Sequence, residues 1–308
     1  MKNLQRTWPL VAMLVAVGLT NVSEAQAGPR NGNGGGAGKG KGRILSFNIR
    51  FDFESDAAEN NRWAQRVDVV AKTISGSGAL IACLQEDKEE QVQDLREKLP
   101  AFEFFGKGRN GGNSGEHCAI AWKKEDVRVK ESGNFWLSDT PQVEGSNTWG
   151  DRYPRKATWI LCEVKKSKSP LLVINTHLPE GGGRNADLRA RGTRVIREFI
   201  DAHIDEKDKD KVAVIVTGDF NCTPDEEPRT ALAQSQKLPL RDAFLEARPS
   251  DGNPGTFNGF RGMKTQDRID WILVGGPVRV AKYDKIDEQV DGRWPSDHYP
   301  IFADFELR

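Results

Sequence analysis

Apolar runs of strand length recur along the chain, separated by polar or glycine-rich breaks. They cover Arg43 to Phe47, Ala79 to Leu84, Phe102 to Phe105, Cys118 to Trp122, Thr158 to Val164, Leu171 to Asn175, Val212 to Thr217, Ile269 to Val274 and Ile301 to Phe305, and they read as buried strands. A second period shows in Leu188, Gly192, Val195, Ile196, Phe199 and Ile200, which fall on one face of a helix. Helical stretches separate some strands, and short Gly/Asn/Asp turns separate others. The expected class is therefore mixed α/β with hairpins, with more strands than one sheet holds comfortably. Residues 43–308 contain no internal repeat and no second low-complexity break, so they read as one domain.

The start of the chain follows neither period. Lys2 and Arg6 precede an apolar run from Trp8 to Thr20, and the small-residue triplet Ala25-Gln26-Ala27 follows it. Residues 1–27 read as a secretory signal cut near Ala27, because the run is shorter than the roughly 20 residues of a membrane span. Residues 28–42 hold eight glycines in fifteen positions and read as a flexible tether. A secreted or periplasmic protein is expected, with no transmembrane segment.

Charge changes the picture once the chain is divided. Its 308 residues carry 45 Lys and Arg against 45 Asp and Glu. The leader (Lys2, Arg6, Glu24) contributes +1 and the tether (Arg30, Lys39, Lys41) +3, so residues 43–308 sum to −4. A domain of that sign does not hold a polyanion by charge alone. With 37% hydrophobic residues, 8 Trp and 14 Phe, the chain is not intrinsically disordered over most of its length.

Candidate chemistry gathers where the apolar runs end, which is where open α/β architectures place their sites. Asn48 follows the first run, Gln85-Glu86 the second, Asn175-Thr176-His177 a later one, and Gly218-Asp219-Phe220-Asn221 the next; Arg268-Ile269-Asp270-Trp271 and Ser296-Asp297-His298 complete the set. Each alone is an ordinary turn or cap residue. Together they are groups that bind hard cations and move protons.

In this order the six motifs resemble those of the endonuclease/exonuclease/phosphatase superfamily, over about residues 43–308. The stretches Asn48-Ile49-Arg50-Phe51-Asp52, Gly133-Asn134-Phe135-Trp136-Leu137-Ser138 and Pro154-Arg155 look like its bacterial metal-dependent hydrolase branch. The resemblance implies a four-layer α/β (α+β) sandwich of two packed mixed β-sheets flanked by helices, with the site at one rim. It also implies hydrolysis of a phosphodiester or phosphomonoester by metal-assisted, in-line attack of water, with Mg²⁺ or Mn²⁺ as cofactor.

The roles it implies fall on specific residues. Glu86 is the principal metal ligand, with Asn48 beside it. Asp219 aligns or deprotonates the water, alone or with a second metal, and Asn221 hydrogen-bonds the phosphoryl oxygen. Asp270 fixes His298 as an imidazolium, Asp297 supports His298 or the metal, and His177 serves phosphate or leaving group. Arg50 and Arg155 are candidate phosphate clamps and His117 a candidate pocket residue; His203 reads as structural.

After His177-Leu178, Pro179-Glu180-Gly181-Gly182-Gly183 departs from the branch, which usually shows an acidic residue there. Substrate class stays open at this level: lipid head group, small phosphoester or nucleic acid. The alternatives are a secreted nuclease and a non-catalytic binder of a phosphorylated sugar or lipid. No stable protein partner is implied, and a monomer is expected. Trp63, Trp149 and Trp294 are candidate pocket walls; Trp122, Trp136, Trp159 and Trp271 read as core. The four cysteines, Cys83, Cys118, Cys162 and Cys222, read as buried free thiols, although an exported protein permits disulfides.

Overall fold

The computed structural model describes residues 40–167, 169–235, 237–247 and 254–308. The expected secretory signal and residues 28–39 of the tether lie outside the described residues. The first strand, β1 (Lys41–Asn48), begins two residues before the expected domain start, because Lys41 and Gly42 already pair with Glu306 and Phe305.

Among the described residues there are two six-stranded sheets. One contains β1, β2 (Ile81–Gln85), β3 (Phe102–Phe105), β4 (Ile120–Lys123), β11 (Val278–Lys285) and β12 (Ile301–Leu307) in the order β11-β12-β1-β2-β4-β3. The other contains β5 (Val127–Trp136), β6 (Lys156–Val164), β7 (Leu171–His177), β8 (Ala213–Asp219), β9 (Arg241–Asp242) and β10 (Asp270–Gly275) in the order β5-β6-β7-β8-β10-β9. Each sheet has one parallel pair near its centre, β1 with β2 and β7 with β8. Every other pairing is antiparallel.

The period of two sorts these strands into layers. Ile44, Ile81, Cys83, Val173, Ile215 and Ile272 point between the sheets. Their chain neighbours Leu45, Ala82 and Leu84 point outward under α1 (Trp63–Gly76) and α2 (Glu89–Lys98), where they meet Val70, Ile74, Val92 and Leu95. On the other face Ile174, Val214 and Val216 meet Val195, Ile196, Phe199 and Ile200 of α3 (Ala186–His203) and Leu232 of α4 (Glu227–Ala233). The short α5 (Ala243–Ala247) adds Ala243 to the inner layer. Central strands are thus buried on both faces, and a slip of one residue would exchange the inner and outer sets. This is the helix–sheet–sheet–helix sandwich that the motifs imply.

All four cysteines are buried free thiols. Trp122, Trp136 and Trp271 are core residues, and Trp159 is partly buried. Trp63 belongs with the core as well, because its position in α1 turns it onto the first sheet, with its indole N–H donated to Asp94 at 2.7 Å. His203 ends α3 with its ring stacked on Phe199, 4.0 Å between centroids.

Candidate active site

One rim of the sandwich collects the strand ends. From the first sheet come Asn48 at the end of β1, Glu86 after β2 and His298 just before β12. The second supplies His177 at the end of β7, Asp219 at the end of β8 and Asp270 at the start of β10. Register keeps the second set level: His177 lies opposite Asp219 in the parallel pair, and Asp270 opposite Asp219 in the antiparallel one. The asparagine of the Asn175-Thr176-His177 motif is a strut between the sheets. Its carboxamide donates to Leu84 O at 2.6 Å and accepts from Gln85 Nε2 at 2.7 Å.

Asp219 is the hub. Asn48 Nδ2 donates to Asp219 Oδ2 and to Glu86 Oε1, each at 3.0 Å, while Asn48 Oδ1 accepts the Arg50 backbone N–H. Asp219 Oδ2 lies 3.6 Å from His177 Nε2 and 3.7 Å from His298 Nε2, so two imidazoles flank one carboxylate. His298 Nδ1 meets Asp270 Oδ2 at 2.9 Å. Burial works against a charged His298 ring, but the Asp270 and Asp219 carboxylates outweigh it and hold the imidazole well above its ordinary value. The two carboxylates thus favour the charged form of the His298 ring.

The second histidine has a partner that strand ends do not reveal. Asn221 Nδ2 donates to His177 Nε2 at 3.0 Å and to Leu178 O at 3.0 Å, which leaves the ring proton on Nδ1, 3.3 Å from Glu116 Oε2. Burial would raise the Glu116 carboxyl, yet His177, Arg109 and Arg155 hold it at about 2. Arg109 reaches Glu116 Oε2 at 2.8 Å. Glu116 and Arg109 sit in the loop before β4, outside any strand pattern. The one sequence signal for them is their place in and after the glycine-rich segment 106–115.

The other expected residues take these positions. Arg50 reaches Asp56 at 3.1 Å and comes within 3.9 Å of both Glu86 and Asp297, so its guanidinium sits among the acids. Asp297 accepts from Ser296 Oγ at 3.1 Å and comes within 3.9 Å of Arg50, and its carboxylate adds to the charge that favours a protonated His298 ring. Arg155 is buried and reaches Asp151 at 3.4 Å, beside the Glu116 end. His117 departs from the pocket-residue expectation. Its ring, 1% exposed, turns to the Asn113 carbonyl at 3.3 Å and to Glu89 at 3.6 Å, so it is a wall residue.

Backbone conformation and one buried cation fix this layout. Arg50 (φ 56°), Glu86 (φ 63°), Cys118 (φ 51°) and Asn221 (φ 51°) are left-handed at the rim, a conformation that costs a non-glycine residue about 1–2 kcal/mol. Such strain persists where surrounding contacts over-determine it. Arg66 of α1, fully buried, donates to the carbonyls of Ile49, Arg50, Asn61 and Pro295, tying the chain after β1 to the segment that carries Asp297 and His298.

The donor set fits a divalent cation. Glu86, His177 and Asp219 offer ligand atoms within 4.8 Å of one another, and so do Asp219, Asp270 and His298. Burial pushes the Glu86 carboxyl up, with repulsion from Asp297 and Glu116 adding to it against the pull of His177. A half-buried carboxylate, Glu86, and a buried one, Asp219, sharing one amide N–H₂ leave negative charge that a hard ion with oxygen ligands would neutralise.

Comparisons with known proteins agree with this geometry. Residues 45–298 match the endonuclease/exonuclease/phosphatase family. A structure of a protein of that family from Bacteroides thetaiotaomicron is 28% identical, with a TM-score of 0.78 over 88% of this chain and 99% of that one. The mannosyl-6-phosphatase of the same organism is 29% identical, with a TM-score of 0.76 over 86% of this chain and 99% of that one. An endonuclease/exonuclease/phosphatase from Bacteroides vulgatus is 29% identical, with a TM-score of 0.78 over 88% of this chain and 100% of that one. No curated protein matches the chain. This chain belongs to the endonuclease/exonuclease/phosphatase family, whose members are hydrolases of phosphoester bonds.

Proposed function

We propose that this protein is an exported, monomeric hydrolase that uses Mg²⁺ or Mn²⁺ to cleave the phosphate ester of a small polar molecule, with a sugar phosphate as the first candidate. The observation that carries the reading is Asp219 flanked by two histidines and joined to Glu86 through Asn48. Glu86 and Asp219 would hold the ion. Bound there, it supplies positive charge to the phosphoryl oxygens. Asp219 orients the attacking water and accepts its proton. His298, kept charged by Asp270, hydrogen-bonds a phosphoryl oxygen, and Arg50 adds a second cation to the same anion. His177, aligned by Glu116 and Asn221, lies on the other side of Asp219; in serving the leaving oxygen it would carry a proton on Nε2, where Asn221 now donates, with Glu116 as counter-ion to the doubly protonated ring.

A sugar phosphate is favoured by the mannosyl-6-phosphatase among the relatives and by the −4 sum over residues 43–308, which works against a long polyanion. The test is turnover of mannose 6-phosphate, glucose 6-phosphate, bis-p-nitrophenyl phosphate, single-stranded DNA and RNA with Mg²⁺, Mn²⁺ or EDTA. Metal-dependent release of phosphate from a sugar ester is expected. Cleavage of nucleic acid alone would make the protein a nuclease, and binding of a sugar phosphate without turnover would make it a binder. Export predicts that N-terminal sequencing of the secreted or periplasmic protein starts at Gly28; an intact Met1 in the cytoplasm would contradict it.

A further inference from the structure

The rim residues form a row. Asp270 and Asp219 are followed by His177, and then, because β6 pairs with the side of β7 away from β8, by Arg155 just before β6. Beyond Arg155 lies a cavity of 310 Å³. Three guanidiniums line it, Arg152, Arg155 and Arg184, with Tyr153 and the acids Asp151 and Glu180. Asp151 is already engaged: its carboxylate accepts from Arg155 Nε at 3.4 Å and from the Arg152 backbone N–H at 2.6 Å. Glu180 is exposed. Arg109 stacks on the Tyr153 ring, 4.2 Å from its centroid, and ties this wall to Glu116.

Two features mark the cavity as a place for an anion: its three guanidiniums outnumber its two acids, and one of them keeps an unpaired N–H. Arg155 is 7% exposed, and its Nη1 is buried without a hydrogen-bond partner. A guanidinium N–H withdrawn from water and left unpaired is costly, and a turn of the Arg155 side chain toward an oxyanion in the cavity would satisfy it. The opposite wall is the turn that leads into α3. Gly181 and Gly182, at φ 103° and 57°, turn the chain into residues 182–185, and the Asn185 side chain makes no cap hydrogen bond to this 18-residue helix. The Asn185 amide donates instead to the Glu180 carbonyl, and the Ala186 N–H at the start of α3 is taken by the Gly183 carbonyl of this turn, so the wall offers the Arg184 side chain rather than free helix N–H groups.

The geometry points to a binding site here for a second anionic group of the substrate, a phosphate or carboxylate carried beyond the ester that is cut. This rests on the phosphoesterase reading for the first anion, and it names the substrate class: a small ester with two acidic groups.

The test is isothermal titration calorimetry of the full chain in excess Mg²⁺ with α,ω-alkane bisphosphonates of increasing chain length, against butylphosphonate. These probes are not hydrolysed. At least one bisphosphonate should bind about tenfold more tightly than butylphosphonate, the gain from one further charge-assisted contact. That gain should vanish in the Arg152→Glu/Arg184→Glu chain, whose exposed substitutions leave the core intact. If no chain length gains over butylphosphonate, or if the gain survives the double substitution, the second site is refuted. If butylphosphonate does not bind and no ester is turned over, the phosphoesterase reading fails by itself. Arginine-dependent binding of a bisphosphonate would then still establish the cavity as an anion site, and its absence would refute it.

Discussion

His298 is buried between Asp270 and Asp219, and its charge depends on them. In an Asp270→Asn chain, burial prevails and the imidazole titrates lower. Activity should fall by about 100-fold or more, the range of a lost acid–base group, and the alkaline limb of the pH profile should move to lower pH. An unmoved limb would detach His298 from Asp270. The second dyad is tested by Glu116→Gln, which leaves His177 without its anion; kcat should drop by about tenfold or more with little change in KM. The sequence exposed the two dyads unequally. Asp270, His298, His177 and Asp219 stand at the ends of apolar runs, whereas Glu116 is brought to His177 by a glycine-rich loop that no period describes. His117 shows the reverse error: proximity to that loop suggested a pocket residue, but the Asn113 carbonyl and Glu89 turn its ring into the wall.

The same contrast between buried and half-solvated positions holds for whole elements. All nine apolar runs are strands, and the three strands without such a run, β5, β9 and β11, are sheet edges. An edge strand is covered on fewer sides, so polar residues interrupt its period, as the alternation of β11 shows. α1 contributes Arg66, whose four carbonyl partners join two active-site segments. Arg66→Met should cost about 3 kcal/mol or more in urea unfolding, because several buried carbonyls lose a charged donor. Arg66→Lys should rescue little, since an ammonium cannot reproduce the fork. β6 contributes Lys156, fully buried and donating to the His117 carbonyl and to Thr158 Oγ1. Burial lowers its pKa to about 8. Above that value the unfolded chain binds the proton better than the folded one, so stability should rise with pH from about 8 towards the ordinary lysine range. Lys156→Met should flatten that rise; an unchanged slope would assign it to other groups.

At the scale of the molecule, charge and metal are coupled. Residues 1–42 carry the positive excess and residues 43–308 sum to −4, with buried carboxylates at the rim. Among the described residues no helix is long and apolar enough to cross a membrane. Mg²⁺ at about 100 times its dissociation constant should stabilise the folded protein by about 2.7 kcal/mol. Glu86→Gln should abolish that gain while raising the melting temperature in EDTA, because it removes a carboxylate that burial and its acidic neighbours disfavour. A variant that loses activity yet gains metal-free stability marks an acid kept for function. The most direct measurement is hydrolysis of bis-p-nitrophenyl phosphate and mannose 6-phosphate with Mn²⁺, by the unmodified chain and by Asp219→Ala and His298→Ala. The account predicts turnover that EDTA stops and that falls by 100-fold or more in each variant, by about the size expected for such groups. Turnover that survives either substitution, or that needs no metal, would contradict it.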